Sequence, residues 1–144
     1  MDLLTAILLT ILIPSFGMLS NLVLRDQPNL RDSMTLVLAL ITFAIVLVIL
    51  SVNGNDISGQ FTLFEILPGL SIAFHVEPLG LMFAIIASGL WILTHLYGIG
   101  YMRGNAEDNH ARFFASFAIA IGSVMGIAFA SNMFTLFLFY EILT

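Results

Sequence analysis

Glu141 stands inside FLFYEILT, residues 137–144, a run otherwise made almost wholly of aromatic and aliphatic side chains. A carboxylate is costly to keep charged away from water, so an acid in such a run either exchanges a proton or, protonated, hydrogen-bonds a neighbouring helix. Counted from Met133 at about 1.5 Å of rise per residue, Glu141 is expected about 12 Å into a membrane core about 30 Å thick, close to its midplane. His95 follows Trp91 by one helical turn and shares its face. A neutral imidazole there can relay protons, and it can equally serve as a satisfied helix contact. His75 and Glu77 alternate along a stretch of strand periodicity, where solvation is the ordinary fate of such groups. Glu107, Asp108 and His110 cluster in a loop without metal-ligand spacing. Glycine-rich phosphate loops, a P-loop lysine and nucleophile–base constellations are all absent from the sequence, as is cysteine. Neither a catalytic site nor a metal or cofactor is expected, and nothing points to a soluble enzyme.

The elements that would position Glu141 and His95 belong to a membrane. Hydrophobic residues make up 60% of 144 and charged residues 9%, with a mean hydropathy of +1.07, far from soluble-domain values. The formal charge of -5 arises from nine acids against four arginines, which excludes the basic footprint of a nucleic-acid binder. The first apolar run lacks both the positive flank and the cleavage site of a signal peptide and reads as a retained helix.

Uncharged runs of about 20 residues suffice to cross the bilayer. They fall at Leu3 to Leu24, with Pro14 and Gly17 as tolerated kink positions, at Ser33 to Val52, from Leu79 to Gly100, and at Phe113 to Ser131. The fourth carries Ser116, Gly122, Ser123 and Gly126, small residues that allow close helix approach. Residues 25–32 read as a short polar connection. Between the second and third runs, Leu70, Ile72, Phe74 and Val76 alternate with Ser71, Ala73 and His75; with Phe61 to Ile66 before Pro68-Gly69 they predict a β-hairpin on the membrane surface. All four arginines, Arg25, Arg31, Arg103 and Arg112, flank the first and third connections, which places loops 25–32 and 101–112 in the cytoplasm and the N-terminus and hairpin outside. Trp91, Tyr97 and Tyr101 fit an aromatic belt. The last run, Met133 to Thr144, reaches only about 18 Å into the membrane. A terminal carboxylate there is costly, so the chain is expected to be the N-terminal part of a longer multi-helix protein. The expected fold is an all-α membrane protein of four transmembrane helices plus a truncated fifth. It forms a single membrane domain over 1–144, with a small extracytoplasmic β-hairpin in loop 53–78.

Three stretches, LPGLSIAFHVEPLGLMFA, YGIGYMRG followed by ARFFASFAIAIGSVMGIAFASNMF, and FLFYEIL, together resemble the antiporter-like membrane subunits. These are shared by Mrp-type sodium/proton antiporters (as their D-type component), respiratory complex I (as its L-, M- and N-type proton-pumping components) and membrane-bound hydrogenases. The resemblance covers roughly the second half of the chain, and the order of the stretches is more specific than any one of them. It implies a bacterial plasma (inner) membrane location, other membrane subunits, lipids, protons and Na+ as partners, and Glu141 as the acid that pairs with a lysine of a later helix. In the family that lysine, by moving away and returning, lets the acid take up and expel a proton. Two unit charges 4 Å apart interact by about 4 kcal/mol at an effective dielectric near 20, enough to drive such a switch. Tyr140 stands where the family often has Trp or Phe. Cation/proton antiport, proton pumping in an NADH:quinone oxidoreductase, and a purely structural membrane role remain the three functional readings of the sequence.

Overall fold

The computed structural model describes residues 2–53, 61–67, 69–105 and 109–144. Pro68, Glu107 and Asp108, and with them part of the anticipated Pro-Gly turn and loop cluster, lie outside the described residues. The order is α1 (Leu3–Val23), α2 (Pro28–Asn53), β1 (Phe61–Leu67), β2 (Leu70–Phe74), α3 (Pro78–Gly104), α4 (His110–Ala128) and α5 (Met133–Leu143). Among the described residues, α1 to α4 are long and apolar enough to cross a membrane, and α5, at 11 residues, is apolar but shorter. At about 1.5 Å per residue, the 21 residues of α1 span about 32 Å, close to a bilayer core. The protein is a multi-pass membrane protein.

Each helix of the bundle packs on the next, α1 on α2, α2 on α3, α3 on α4 and α4 back on α1, closing a ring. Ile7, Val46, Trp91 and Met125, one from each helix, are buried in its interior. Gly122 sets the α1–α4 distance: a β-carbon there would lie 3.0 Å from the Ile11 carbonyl oxygen. Gly126 does the same for α5, since a β-carbon there would overlap the ring of Phe139. Ser123 is buried with its hydroxyl donating to the Ile119 carbonyl, 3.0 Å away, whereas Ser116 is exposed and takes no part in the expected small-residue stripe.

Four helix boundaries differ from the sequence-based expectation. Helix α2 begins at Pro28, not Ser33, because proline suits a first helical position where no N–H is needed. Arg31 and Asp32 are therefore helical and buried rather than part of a solvated connection. Likewise residues 101–104 continue α3 and residues 110–112 begin α4. Helix α4 ends at Ala128 rather than Ser131, since the chain turns at Phe129 and then bridges to β2 through Ala130: His75 N–H donates to Phe129 O and Ser131 N–H to Ala73 O, both at 2.9 Å.

The hairpin is antiparallel, pairing Phe61 with Phe74 and Leu67 with Leu70, with irregularities between Thr62 and Phe64 and between Glu65 and Leu67. Strand β1 is mostly exposed, while Ala73, Phe74 and Val76 are buried against the helix ends. Alternation puts Ala73 on the opposite face from Phe74, yet both are covered because the α4–α5 connection flanks β2 on the side away from β1. Gly69 adopts φ 86, a left-handed conformation that glycine takes without strain. His75 Nδ1 lies 3.5 Å from Glu77 Oε1, and Glu77 is largely solvated.

Candidate functional site on the fifth helix

Helix α5 is anchored at its first turn. Asn132 is its N-cap: its side-chain oxygen accepts from Thr135 N–H at 2.8 Å, and its amide donates to Ser71 O at 2.8 Å. The Thr135 hydroxyl, fully buried, accepts from Ala73 N–H at 3.0 Å. One turn further, Phe139 lies over Gly126 and meets Phe74 with ring centroids 6.0 Å apart. These contacts fix one face of α5 to β2 and α4, and with it the depth at which the helix starts.

Glu141 lies on the other side. It is exposed, as are Phe137 at 58% and Tyr140 at 54%, so an acid and two aromatic rings share an uncovered helix face. The ion pairs among the described residues join other groups, Arg31 and Arg103 to Asp32 and His75 to Glu77. Because α5 starts beside the hairpin and runs back along α4, Glu141 sits about 12 Å from the hairpin end of the bundle.

His95 lies elsewhere. Seventeen residues past Pro78, it is about 26 Å from the hairpin end, at the opposite end of the helices. It is 1% exposed, packed edge-on against Phe114 with centroids 4.7 Å apart, and its Nε2 is 3.1 Å from the Asp32 carbonyl oxygen. A carbonyl only accepts, so Nε2 carries the hydrogen, leaving Nδ1 without a partner among the described residues. The structure thus brings His95 to Asp32, and does not bring it to Glu141.

Around His95 lies a polar cluster that the sequence pattern does not reveal. Arg31 donates to Asp32 Oδ1 through Nε at 3.0 Å and Nη2 at 2.8 Å, and Arg103 donates from Nη2 to Asp32 Oδ2 at 2.6 Å. One turn of α2 further on, Thr35 exchanges hydrogen bonds with Asn21 of α1. Asp32 is 4% exposed and neutralised from two helices. The signal that would have found it is Pro28: a helix started there carries Arg31 and Asp32 inward. Among the described residues, no three His, Asp or Glu side chains are grouped to hold a metal ion.

Part of the chain is similar to known membrane proteins. Residues 68–114 match the family described as NADH-Ubiquinone oxidoreductase (complex I), chain 5 N-terminus. The Na(+)/H(+) antiporter subunit A1 of Staphylococcus aureus, strain bovine RF122 / ET3-1, is 30% identical over 74 residues, 51% of this chain and 9% of that protein. Over this part of its length the chain is similar to membrane subunits of complex I and of sodium/proton antiporters. Subunit A1 of strains JH9 and Newman is 28% identical over the same length, again covering 9% of each relative. These relatives are named as A1 subunits, whereas the motifs of the sequence resemble the D-type component.

Proposed function

We propose that this antiporter-like subunit serves a membrane ion-transport complex in which Glu141 takes up and releases protons, coupled to movement of a monovalent cation such as Na+. The observation that carries this reading is the position of Glu141: an acid on an apolar helix face, near mid-depth, held there by the Asn132 and Thr135 anchors and uncovered by the rest of the chain. Such an acid requires a polar or basic neighbour from another helix, and a basic neighbour that moves converts binding into transport. Relatives named as sodium/proton antiporter subunits support the cation. The match to a complex I chain favours a second reading, in which the same acid serves a proton pump of an NADH:quinone oxidoreductase.

His95 is proposed as a proton-transfer residue at the other end of the bundle, its support being the buried Nδ1, which has no partner among the described residues. The arginine-bearing end is assigned to the cytoplasm, residues 1–144 to one membrane domain, and the 53–78 hairpin to the outer face, in keeping with the clustering of basic residues at one end.

Glu141→Gln tests the central claim. It keeps size and hydrogen bonding while removing the titratable proton. Expected is a normally assembled complex with ion-coupled transport in membrane vesicles lost; transport at the wild-type rate in the assembled variant overturns the proposal.

A further inference from the structure

Beside the α1–α2 turn lies a cavity of about 480 Å³, lined by three arginines, Arg25, Arg31 and Arg112, together with His110, Asn109 and Leu22. Among the described residues, no Asp or Glu lines it. Asp32, which pairs with Arg31, faces a separate concavity together with Arg103. Three guanidinium groups around one hollow repel each other unless an anion sits between them. Arg31 is the fixed member of the set, 3% exposed and lying over the Phe114 ring at 5.7 Å, while Arg25 and Arg112 are exposed at the mouth.

The backbone adds to the same field. Helix α4 opens toward the cavity with its first turn, His110 to Arg112, and its N-cap residue Asn109, at φ 69, makes no side-chain capping bond. A 19-residue helix carries the positive end of its dipole at this terminus and favours an anion there. The cavity also lies where α1 ends and α2 and α4 begin, at the level where a bilayer presents its phosphates, with the apolar Leu22 at its edge.

We infer that this cavity is a binding site for a phosphate group, which Arg25 and Arg112 grip from the mouth and Arg31 from within. Arginine suits the task because its planar fork donates two parallel hydrogen bonds to phosphate oxygens. The phosphate can come from the headgroup of an anionic phospholipid or from free phosphate, and Leu22 gives an acyl chain a surface to follow.

The experiment uses the full chain purified from membranes and reconstituted in phosphatidylcholine nanodiscs containing a minor fraction of phosphatidylglycerol, with protein-retained lipid counted by mass spectrometry and inorganic phosphate added in a second arm. Compared are the wild type, the double variant Arg25→Gln/Arg112→Gln, and Arg103→Gln, which removes a cation from the neighbouring concavity. Retention of phosphatidylglycerol that drops about tenfold in the double variant, and stays at the wild-type level in Arg103→Gln, establishes the lipid source. No selective lipid retention, but saturable phosphate binding lost only in the double variant, establishes free phosphate. Equal retention in wild type and double variant, or binding of neither probe, overturns the inference. The fluorescence of the buried Trp91 and the melting temperature report that the variants are folded.

Discussion

The backbone N–H of Ala73 and the hydroxyl of Thr135 meet at 3.0 Å, so that strand β2 and the first turn of α5 share a buried hydrogen bond. The bond lies between two further ties, from Asn132 to Ser71 and from Ser131 to Ala73, and makes the hairpin the seat of the helix that bears Glu141.

Thr135→Val removes the acceptor at nearly constant volume and leaves a buried N–H on Ala73 unsatisfied, at a cost of about 1 to 3 kcal/mol. Thr135→Ser keeps the hydroxyl and is expected to stay close to wild type. Thermal unfolding of the purified protein, followed by loss of helical circular dichroism, checks the order of the three. Equal melting temperatures for the valine and serine variants would show that the tie does not hold α5.

At the other end, Asp32 neutralises Arg31 and Arg103 at once. Asp32→Asn leaves the buried Arg31 guanidinium without its counter-charge, a loss of about 3 to 5 kcal/mol for a pair this enclosed. Arg103 is 44% exposed, so Arg103→Gln costs about 1 kcal/mol or less. The prediction is a marked fall in melting temperature for the aspartate variant and a small one for the arginine variant; the reverse order is the outcome it forbids.

Much of this architecture is legible in the amino acids because a bilayer asks a simple question of them. Four runs of sufficient length and hydropathy became α1 to α4, and alternation from Leu70 to Val76 marked β2. Glu141 was visible for the same reason, a lone acid in an apolar run. What could not be read depends on partners far apart in the chain. The end of α4 at Ala128 is decided by backbone bonds to Ala73 and His75, and the burial of Asp32 by an arginine 71 positions away. Pattern along the chain reports which residues shun water, while the partner of a buried polar group is set by the fold that brings it there.

Gly80 and Gly100 lie on the same helix α3 and make opposite demands. A β-carbon on Gly80 would overlap the Ala128 carbonyl oxygen, which is backbone and cannot rotate aside, whereas nothing lies within 4 Å of one on Gly100. Gly80→Ala is expected to destabilise by about 1 to 3 kcal/mol through forced separation of α3 and α4. Gly100→Ala is expected to be neutral or to stabilise by up to about 1 kcal/mol through helix propensity. Denaturation midpoints of the two variants against wild type decide it, and similar shifts would mean that the close α3–α4 approach is absent in the membrane.

His95 separates a contact from a relay. Its Nε2–H donates to the Asp32 carbonyl and its ring edge packs on Phe114, and either alone would justify burying it. His95→Gln retains an N–H donor, and His95→Phe retains a ring, so each conserves one of the two contacts and costs about 1 to 2 kcal/mol of folding stability. Neither side chain can accept a proton and pass it on near neutral pH. If Nδ1 takes part in proton transfer, both variants assemble with only a modest fall in melting temperature, yet lose proton-coupled transport by about tenfold or more, up to the roughly 10²–10⁴-fold span that positioned acid–base groups contribute. A glutamine variant that transports at the wild-type rate confines His95 to holding α3 against α2, and leaves the proposed proton transfer to Glu141.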